Sequence, residues 1–264
     1  MNKKIYEPTP LHRKILKNFN NICSNQHLKK DSPTWTTLDQ NRRMHAKYEV
    51  DTPVPFDLII GDTGQFLNAF KHFESPVITA DAENIIITQD NIDSVDELVI
   101  PQYRADWVKP TLADKLLVNI SEPVIEFDMT VDDMEWLLKM AKEMKIDGFT
   151  IFSSRGNLVY LMEDQRNASY GSKVYRRTNI KTNQLFIYHA MKVNHFDMLF
   201  KSDYRVSIRH HLENIELGIM IFTNKHIPLT YSVIMNSTAD LRKIEGKAVN
   251  LSEVPKLLER YIDQ

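Results

Sequence analysis

The sequence predicts an α+β protein built from two similar domains, each with two helices packed on antiparallel sheets. The first observation is an internal repeat: residues 66–88 align without a gap with residues 196–218, and seven of the 23 pairs are identical. The second is a set of apolar residues at helical spacing, which occurs twice in each half. The third is a series of short strands between turn residues. Because an internal repeat fixes the architecture, we expect two copies of one helix-and-sheet unit.

The chain length and the repeat together predict the domain limits. The 264 residues are enough for two cores of ordinary size. Residues 101–122 contain prolines and lack clean periodicity, which is typical of a connector. We therefore predict an N-terminal domain over 1–122 that includes this connector, a C-terminal domain over 123–240, and an extension over 241–264 with a helix.

The first half predicts two helices and a set of strands. Apolar residues at helical spacing follow Thr9-Pro10, a favourable helix start, and predict a helix over 11–23. Asp62 can cap a second helix over 62–73. Aromatic and β-branched residues between turn signals predict the strands, near 26–30, 34–38, 43–50, 56–60, 76–80, 84–88 and 95–101.

The second half repeats this plan. A helix is expected from Thr130, because acidic residues occupy its first turn and lysines come later. A short helix over 194–200 mirrors 62–73 through the repeat. A loop with tyrosines and arginines is expected over 166–183. The predicted strands are near 124–128, 148–153, 157–163, 185–189, 203–210, 213–222 and 229–236.

The composition excludes several classes of protein. The net charge of −2 argues against a protein that coats nucleic acid by phosphate neutralisation, since such proteins are strongly basic. No apolar run approaches the ~18 residues of a membrane span, and no signal-peptide core is seen, so we expect a cytoplasmic protein. Cys23 is the single cysteine and is expected at a buried helix position, as a small core residue.

Candidate catalytic motifs have simpler interpretations. Asp62-Thr63-Gly64 resembles the triplet of aspartic proteases, but those enzymes need a second carboxylate and the repeat places Lys192 at the equivalent position. A helix cap at Asp62 is the favoured interpretation, with an aspartic hydrolase as a weaker alternative. The histidines lack acidic or cysteine partners at ligand spacing, and no phosphate-binding loop occurs, so no metal and no cofactor are predicted.

Basic residues on the helices are the remaining functional signal. Every predicted helix carries lysine or arginine on the face opposite its apolar stripe, and Lys71 recurs as Lys201 in the repeat. One such residue on one helix is an ordinary solvated side chain, but their recurrence favours a shared function. Trp136 falls on the lysine-bearing side of its helix, and the sequence does not explain it. The candidate DNA-facing residues are Arg13, Lys14, Lys17, Lys71, Lys139, Lys142 and Lys201.

The sequence resembles the sliding clamps, the DNA polymerase processivity factors, of T-even-type bacteriophages. The resemblance covers about residues 10–240 and consists of diffuse matches, not of a catalytic signature. Together with the duplicated helix-and-sheet plan, it implies the DNA-clamp fold. Its strongest segments are 16–22, 56–60 through 65–67, 129–139 through 145–147, and 191–194 to 204–206.

The resemblance implies a non-enzymatic homotrimer. Three chains would pair their edge strands head to tail and close a ring whose hole is lined by helices and holds duplex DNA, independent of its sequence. An ATP-dependent clamp loader would open the ring, and a replicative DNA polymerase would be held through a tail peptide in an apolar groove near the connector. The residues expected in that groove are Ile100, Tyr103, Trp107, Val108 and Leu112.

One further alternative is a single-stranded nucleic-acid-binding module. The expected loop over 166–183 is basic, and Tyr170 and Tyr175 could stack on bases. Strong, salt-sensitive affinity for short linear oligonucleotides would favour this alternative over a clamp. The basic residues of the loop are Arg166, Lys173, Arg176, Arg177 and Lys181.

Overall fold

The computed structural model describes residues 4–90, 94–104, 120–164, 173–182, 187–212 and 217–237. Their helices are α1 (Pro10–Ile22), α2 (Thr63–Ala69) with a 3-10 turn (Phe70–His72), α3 (Val131–Met144) and α4 (Asn194–Met198). Their strands are β1 (Gln26–Leu28), β2 (Thr34–Leu38), β3 (Met44–Glu49), β4 (Leu58–Ile60), β5 (Val77–Ala80), β6 (Asn84–Asp90), β7 (Val95–Pro101), β8 (Ile125–Met129), β9 (Gly148–Ser154), β10 (Asn157–Glu163), β11 (Lys173–Lys181), β12 (Ile187–Lys192), β13 (Tyr204–His210), β14 (Leu217–Asn224) and β15 (Leu229–Ser237). The fold class is α+β with antiparallel sheets, as predicted.

The described residues form two compact units. The first contains residues up to 104 together with Met198–Phe200 and Ile227–Tyr231, and the second contains the rest. The predicted limits of the domains and the helix in 241–264 stay predictions, and the helix lies outside the described residues.

The first unit packs α1 and α2 against short antiparallel strands. The strands pair as β1-β4, β2-β3 and β5-β6-β7, with β7 at the edge of its sheet. Thr9 caps α1 by accepting a hydrogen bond from the His12 backbone N–H at 3.1 Å, and Pro10 follows at the first helical position. The apolar stripe of α1 then buries Ile15 and Phe19 completely.

The second unit has one large antiparallel sheet. Its strand order is β11-β10-β9-β12-β15-β14-β13-β8, so β11 is an edge strand. Thr130 and Asp133 form a capping box at the start of α3, and Met134, Leu137 and Ala141 are its buried stripe.

The repeated residues occupy equivalent places in the two cores. Phe66 on α2 and Phe196 on α4 are both buried, as are Ile78 on β5 and Ile208 on β13. Each aromatic ring meets another edge to face, Phe66 with Phe70 and Phe196 with Phe149, both at 4.9 Å between centroids. The repeated residues therefore form the same kind of core packing in both units.

Three local predictions were wrong. The helix expected over 62–73 ends at Ala69 and continues as a 3-10 turn, and the helix expected over 194–200 ends at Met198. Cys23 is half-exposed and follows the last residue of α1, so it is not a core residue. The expected loop over 166–183 contains strand β11, because the mostly polar side chains of this edge strand hide its alternation.

Candidate DNA-facing and partner-binding surfaces

The basic residues of the first unit lie on α1 and on the turn after α2. Lys14, Lys17 and Lys71 are exposed. Arg13 is half-buried, because its guanidinium lies over the Phe70 ring at 5.2 Å from the centroid. Since Phe70 directly precedes Lys71, this contact brings the basic side of α1 beside the turn that bears Lys71.

The basic residues of the second unit have acidic neighbours. Lys139 and Lys142 are exposed on α3. Lys201 is also exposed, but its Nζ lies 3.1 Å from Glu135 Oε1 on the same helix as those two lysines. An exposed pair of this kind contributes little to stability. It does place a negative charge beside Lys201, which reduces the positive potential at this point.

Trp136 lies on the side of α3 that faces β11. The Cζ atom of Arg176 lies 4.7 Å from the Trp136 ring centroid, and Arg176 Nη2 lies 2.6 Å from Asp133 Oδ1. Burial raises the pKa of the nearby Tyr160 well above its usual range, and the Asp133 carboxylate raises it further. Trp136 is therefore half-buried beneath an arginine of β11, a contact that helical spacing could not reveal.

Strand β11 divides its basic residues between two faces. Arg176 points to α3, so the alternation of a strand places its neighbours Tyr175 and Arg177 on the opposite face of the sheet. Lys181 shares that opposite face and is exposed. The cluster expected to act as one basic loop is thus split, and Arg166 and Tyr170 lie outside the described residues.

A pocket of about 590 Å³ lies between α2 and β7 in the first unit. Two of the five predicted partner-binding residues, Ile100 and Tyr103, line it. The other three, Trp107, Val108 and Leu112, lie outside the described residues. The apolar wall of the pocket also contains side chains that were not predicted from the sequence, and the rim of the pocket is polar. The further lining residues are Ile60, Gly61, Asp62, Gln65, Asn68, Ala69, His72, Ile85, Leu98, Val99 and Pro101.

Gly61 and a short hydrogen-bonded segment hold Tyr103 at one end of this pocket. A Cβ atom at Gly61 would overlap the Tyr103 ring, so the ring can lie there only because residue 61 is glycine. The Tyr103 N–H donates to the Ile59 carbonyl at 3.2 Å, and Gln102 Nε2 donates to the Asp81 carbonyl at 2.8 Å. The wall of the pocket is thereby fixed by hydrogen bonds to the backbone.

The competing motif at Asp62 has the geometry of a helix cap. Asp62 Oδ1 accepts a hydrogen bond from the Gln65 backbone N–H at 2.9 Å, directly before α2. Among the described residues, no three histidine, cysteine or acidic side chains come together as a metal site. None of the helices within the described ranges is long and apolar enough to cross a membrane.

Comparison with solved structures identifies the architecture. The chain is similar to Proliferating Cellular Nuclear Antigen from Entamoeba histolytica, with a TM-score of 0.58 at 10% identity over 89% of this chain and 98% of that chain. It is also similar to the beta subunit from DNA polymerase of Streptococcus pyogenes, with a TM-score of 0.59 at 10% identity over 89% of this chain and 66% of that one. The Helicobacter pylori beta clamp bound to a DNA ligase peptide gives a TM-score of 0.56 at 9% identity, over 89% and 66% of the two chains.

The chain has the sliding-clamp fold. No family model matches the sequence, and no curated protein matches it at the level of sequence. The α+β class and the duplicated helix-and-sheet plan are confirmed. Among the described residues, the exposed lysines of α1 and α3 and the α2–β7 pocket are the candidate functional surfaces.

Proposed function

We propose that this chain is a sliding clamp of the T-even bacteriophage type. Three copies close head to tail into a ring around duplex DNA and tether a replicative DNA polymerase. The observation that carries the proposal is the clamp fold itself, which extends over 89% of the chain and 98% of the Entamoeba histolytica structure. The number of copies in the ring and the polymerase as partner are inferred from the resemblance of the sequence to the bacteriophage clamps.

The charge pattern supports contact with DNA that is weak and independent of sequence. The net charge is −2, yet Lys14 and Lys17 on α1 and Lys139 and Lys142 on α3 are exposed. A closed ring is held on DNA by its topology, so a few phosphate contacts are enough and strong binding would slow its movement. Arg13, Lys71 and Lys201 complete the proposed DNA-facing set. The carboxylate of Glu135 reduces the positive potential beside Lys201.

The partners follow from the same proposal. An ATP-dependent loader opens the ring, and a tail peptide of the polymerase docks in an apolar groove near the connector. Ile100 and Tyr103, with its ring on Gly61, line the α2–β7 pocket, where the proposed groove begins. Trp107, Val108 and Leu112 stay predicted members of the groove and lie outside the described residues. The Helicobacter pylori beta clamp, which has a DNA ligase peptide bound to it, shows that a protein of this fold takes a peptide ligand.

The proposal is tested by the topology of DNA binding. Purified chain is incubated at high concentration with linear duplex that lets a ring thread over its ends, and the ends are then blocked with streptavidin on terminal biotin. A ring stays on the blocked duplex through a high-salt wash and is released when a restriction enzyme cuts the DNA. Release by salt alone, equally from blocked and open duplex, would contradict the proposal.

The same experiment separates the clamp from a single-stranded nucleic-acid binder. The outer face of β11, with Tyr175 and Arg177, is the feature that favours such a binder. A binder of this kind would retain short single-stranded oligonucleotides at low salt and lose them as salt increases. A clamp retains neither the oligonucleotides nor the open duplex after the wash.

A further inference from the structure

An N-terminal strap, residues 4–8, covers the β5 edge of the sheet β5-β6-β7. The Tyr6 N–H donates to the Ile78 carbonyl at 2.9 Å, and the Ile78 N–H donates to the Tyr6 carbonyl at 2.8 Å. Within the described residues of the strap, only Tyr6 pairs with β5, and Lys4, Ile5 and Glu7 are exposed. A terminal segment with so few contacts opens more easily than the core of its unit.

The Tyr6 side chain fixes the strap to α1. Tyr6 is 3% exposed, and its hydroxyl lies 2.8 Å from Nδ1 of His12, which is 1% exposed. The centroid of the His12 ring lies 4.9 Å from that of Trp35 on β2 and 6.2 Å from that of Tyr48 on β3. The strap therefore covers one side of a buried histidine whose other neighbours are aromatic.

His12 is the member of this cluster that titrates near neutral pH. The titratable groups that face it are Tyr6 from the strap, Tyr48 from β3 and Asp51 from the turn after β3. Burial raises the pKa of both tyrosines above their usual range. Hydrogen bonds from its own backbone N–H and from His12 hold the pKa of the Asp51 carboxyl below its usual range. These three groups thus keep their charge state between about pH 5 and 8, and the Arg13 guanidinium is turned away to the 3-10 turn after α2.

A second proton on His12 removes the acceptor of the Tyr6 hydroxyl. In the neutral ring Nδ1 accepts from that hydroxyl, and Nε2 donates to Asp51 Oδ1 at 3.3 Å. The imidazolium carries N–H groups on both atoms, so the hydroxyl proton loses its partner at a buried position. The added charge is itself buried in the first turn of α1, where the helix dipole disfavours a cation. Asp51 is 83% exposed and offsets these effects only in part.

We propose that the strap is a proton-sensitive cover: a second proton on His12 releases residues 4–8 from β5 and leaves the rest of the first unit folded. Opening carries the Tyr6 hydroxyl into water and gives the imidazolium access to solvent, which relieves both effects together. α1 keeps its start, because Thr9 caps the backbone of His12 and not its ring. The β5 edge then becomes available to another strand.

The release is tested by hydrogen exchange of the Ile78 amide, measured by NMR on the full chain at about pH 7.5 and about pH 5.5 and corrected for the intrinsic rate at each pH. The open strap leaves His12 free to bind a proton near pH 6.5, whereas the closed strap allows it only at lower pH. The corrected exchange of Ile78 should therefore become faster at the lower pH, by up to about tenfold. The amide of Ile87, on β6 of the same sheet, should not change.

Three variants identify the group that controls the release. His12→Gln removes the titration and should abolish the pH dependence. His27→Gln is the matched control, since it removes another histidine that is paired with a carboxylate, and should leave the pH dependence intact. Tyr6→Phe deletes the hydroxyl alone and should speed the exchange of Ile78 about two- to tenfold at about pH 7.5, where the wild-type strap is closed.

The outcomes decide between a local release and other events. Corrected exchange of Ile78 that is the same at both pH values would overturn the inference, and so would a pH dependence that persists in His12→Gln. Equal acceleration at Ile78 and Ile87 would show that the whole sheet opens, and would also overturn it. Faster exchange at Ile78 alone, lost in His12→Gln and kept in His27→Gln, would establish the strap as a proton-sensitive cover.

Discussion

At the scale of single residues, His12 is a buried histidine held between two polar groups. It is 1% exposed, and its Nε2 lies 3.3 Å from Oδ1 of Asp51, which is 83% exposed. The Tyr6 hydroxyl lies 2.8 Å from its Nδ1. A neutral ring with its proton on Nε2 satisfies both contacts, donating to Asp51 and accepting from Tyr6. Burial lowers the pKa of His12, although the hydrogen bond to Asp51 opposes this shift.

His12 should therefore make the fold less stable in mild acid. The unfolded histidine binds a proton near pH 6.5, and the folded one does so only at lower pH. The contribution of His12 to the free energy of unfolding should be constant above about pH 6.5. At lower pH this contribution should decrease, because the unfolded chain binds the proton more readily. Urea unfolding at about pH 7.5 and about pH 5.5 should show a smaller loss in His12→Gln than in the wild type. Equal losses would contradict this; His72→Gln, at an exposed position, is the control.

Asn18 is a second residue whose buried contacts make a prediction. Its Nδ2 donates to the Met198 carbonyl at 2.8 Å, and its Oδ1 accepts from the Tyr231 hydroxyl at 2.5 Å. Asn18→Leu removes both of these hydrogen bonds, and leaving a buried polar group unsatisfied costs about 1–3 kcal/mol. Denaturant unfolding should show this loss of stability, whereas Asn21→Leu, on the exposed side of α1, should change stability by less than about 0.5 kcal/mol.

At the scale of the elements, the lysines of α1 should govern the salt dependence of DNA binding. Lys14→Ala with Lys17→Ala removes two exposed charges and leaves the buried stripe of the helix intact. The slope of log affinity for duplex against log salt should become shallower by up to about 0.9 for each phosphate that is no longer neutralised. Lys29→Ala with Lys30→Ala, on the turn after β1, removes the same charge and should leave the slope unchanged. Equal slopes for the two double variants would argue against α1 as a DNA-facing helix.

The edge strands make a prediction through charge reversal. In the proposed ring the acidic edge strand β7 of one copy pairs with the basic edge strand β11 of the next, so Glu97→Arg and Arg177→Glu each bring like charges together, which costs several kcal/mol. Either change alone should raise the dissociation concentration of the trimer at least about tenfold, and the double variant should recover most of this loss. A double variant as weak as the sum of its parts would show that the two residues do not meet. The measurement is light scattering over a dilution series.

The elements also show what sequence reasoning can reach. α1 and α3 were predictable because Thr9-Pro10 and Thr130 mark their starts and an apolar stripe follows. β11 was missed, since the residues on its outer face are polar and an edge strand needs no apolar alternation there. The α2–β7 pocket could be predicted only in part. Ile100 directly precedes the predicted connector and Tyr103 lies near its start, so both could be predicted, but Ala69 and His72 reach the pocket through tertiary packing alone.

At the scale of the whole molecule, the repeat accounts for most of the predicted architecture. One helix-and-sheet unit used twice gives two cores with equivalent buried residues, of which Phe66 and Phe196 are the clearest pair. The same duplication leaves two different edges, acidic β7 and basic β11, on one chain. Such a chain is suited to a heterologous contact in which one edge of each copy meets the other edge of the next copy. A series of these contacts gives a ring when the last copy meets the first.

The solution mass of the purified chain tests the ring most directly. Light scattering across a dilution series should give a species near three times the 30.9 kDa chain at high concentration. This species should dissociate towards the monomer on dilution, because the stability of an oligomer depends on the concentration of its protomers. A chain that stays at 30.9 kDa at the highest concentration would contradict the account.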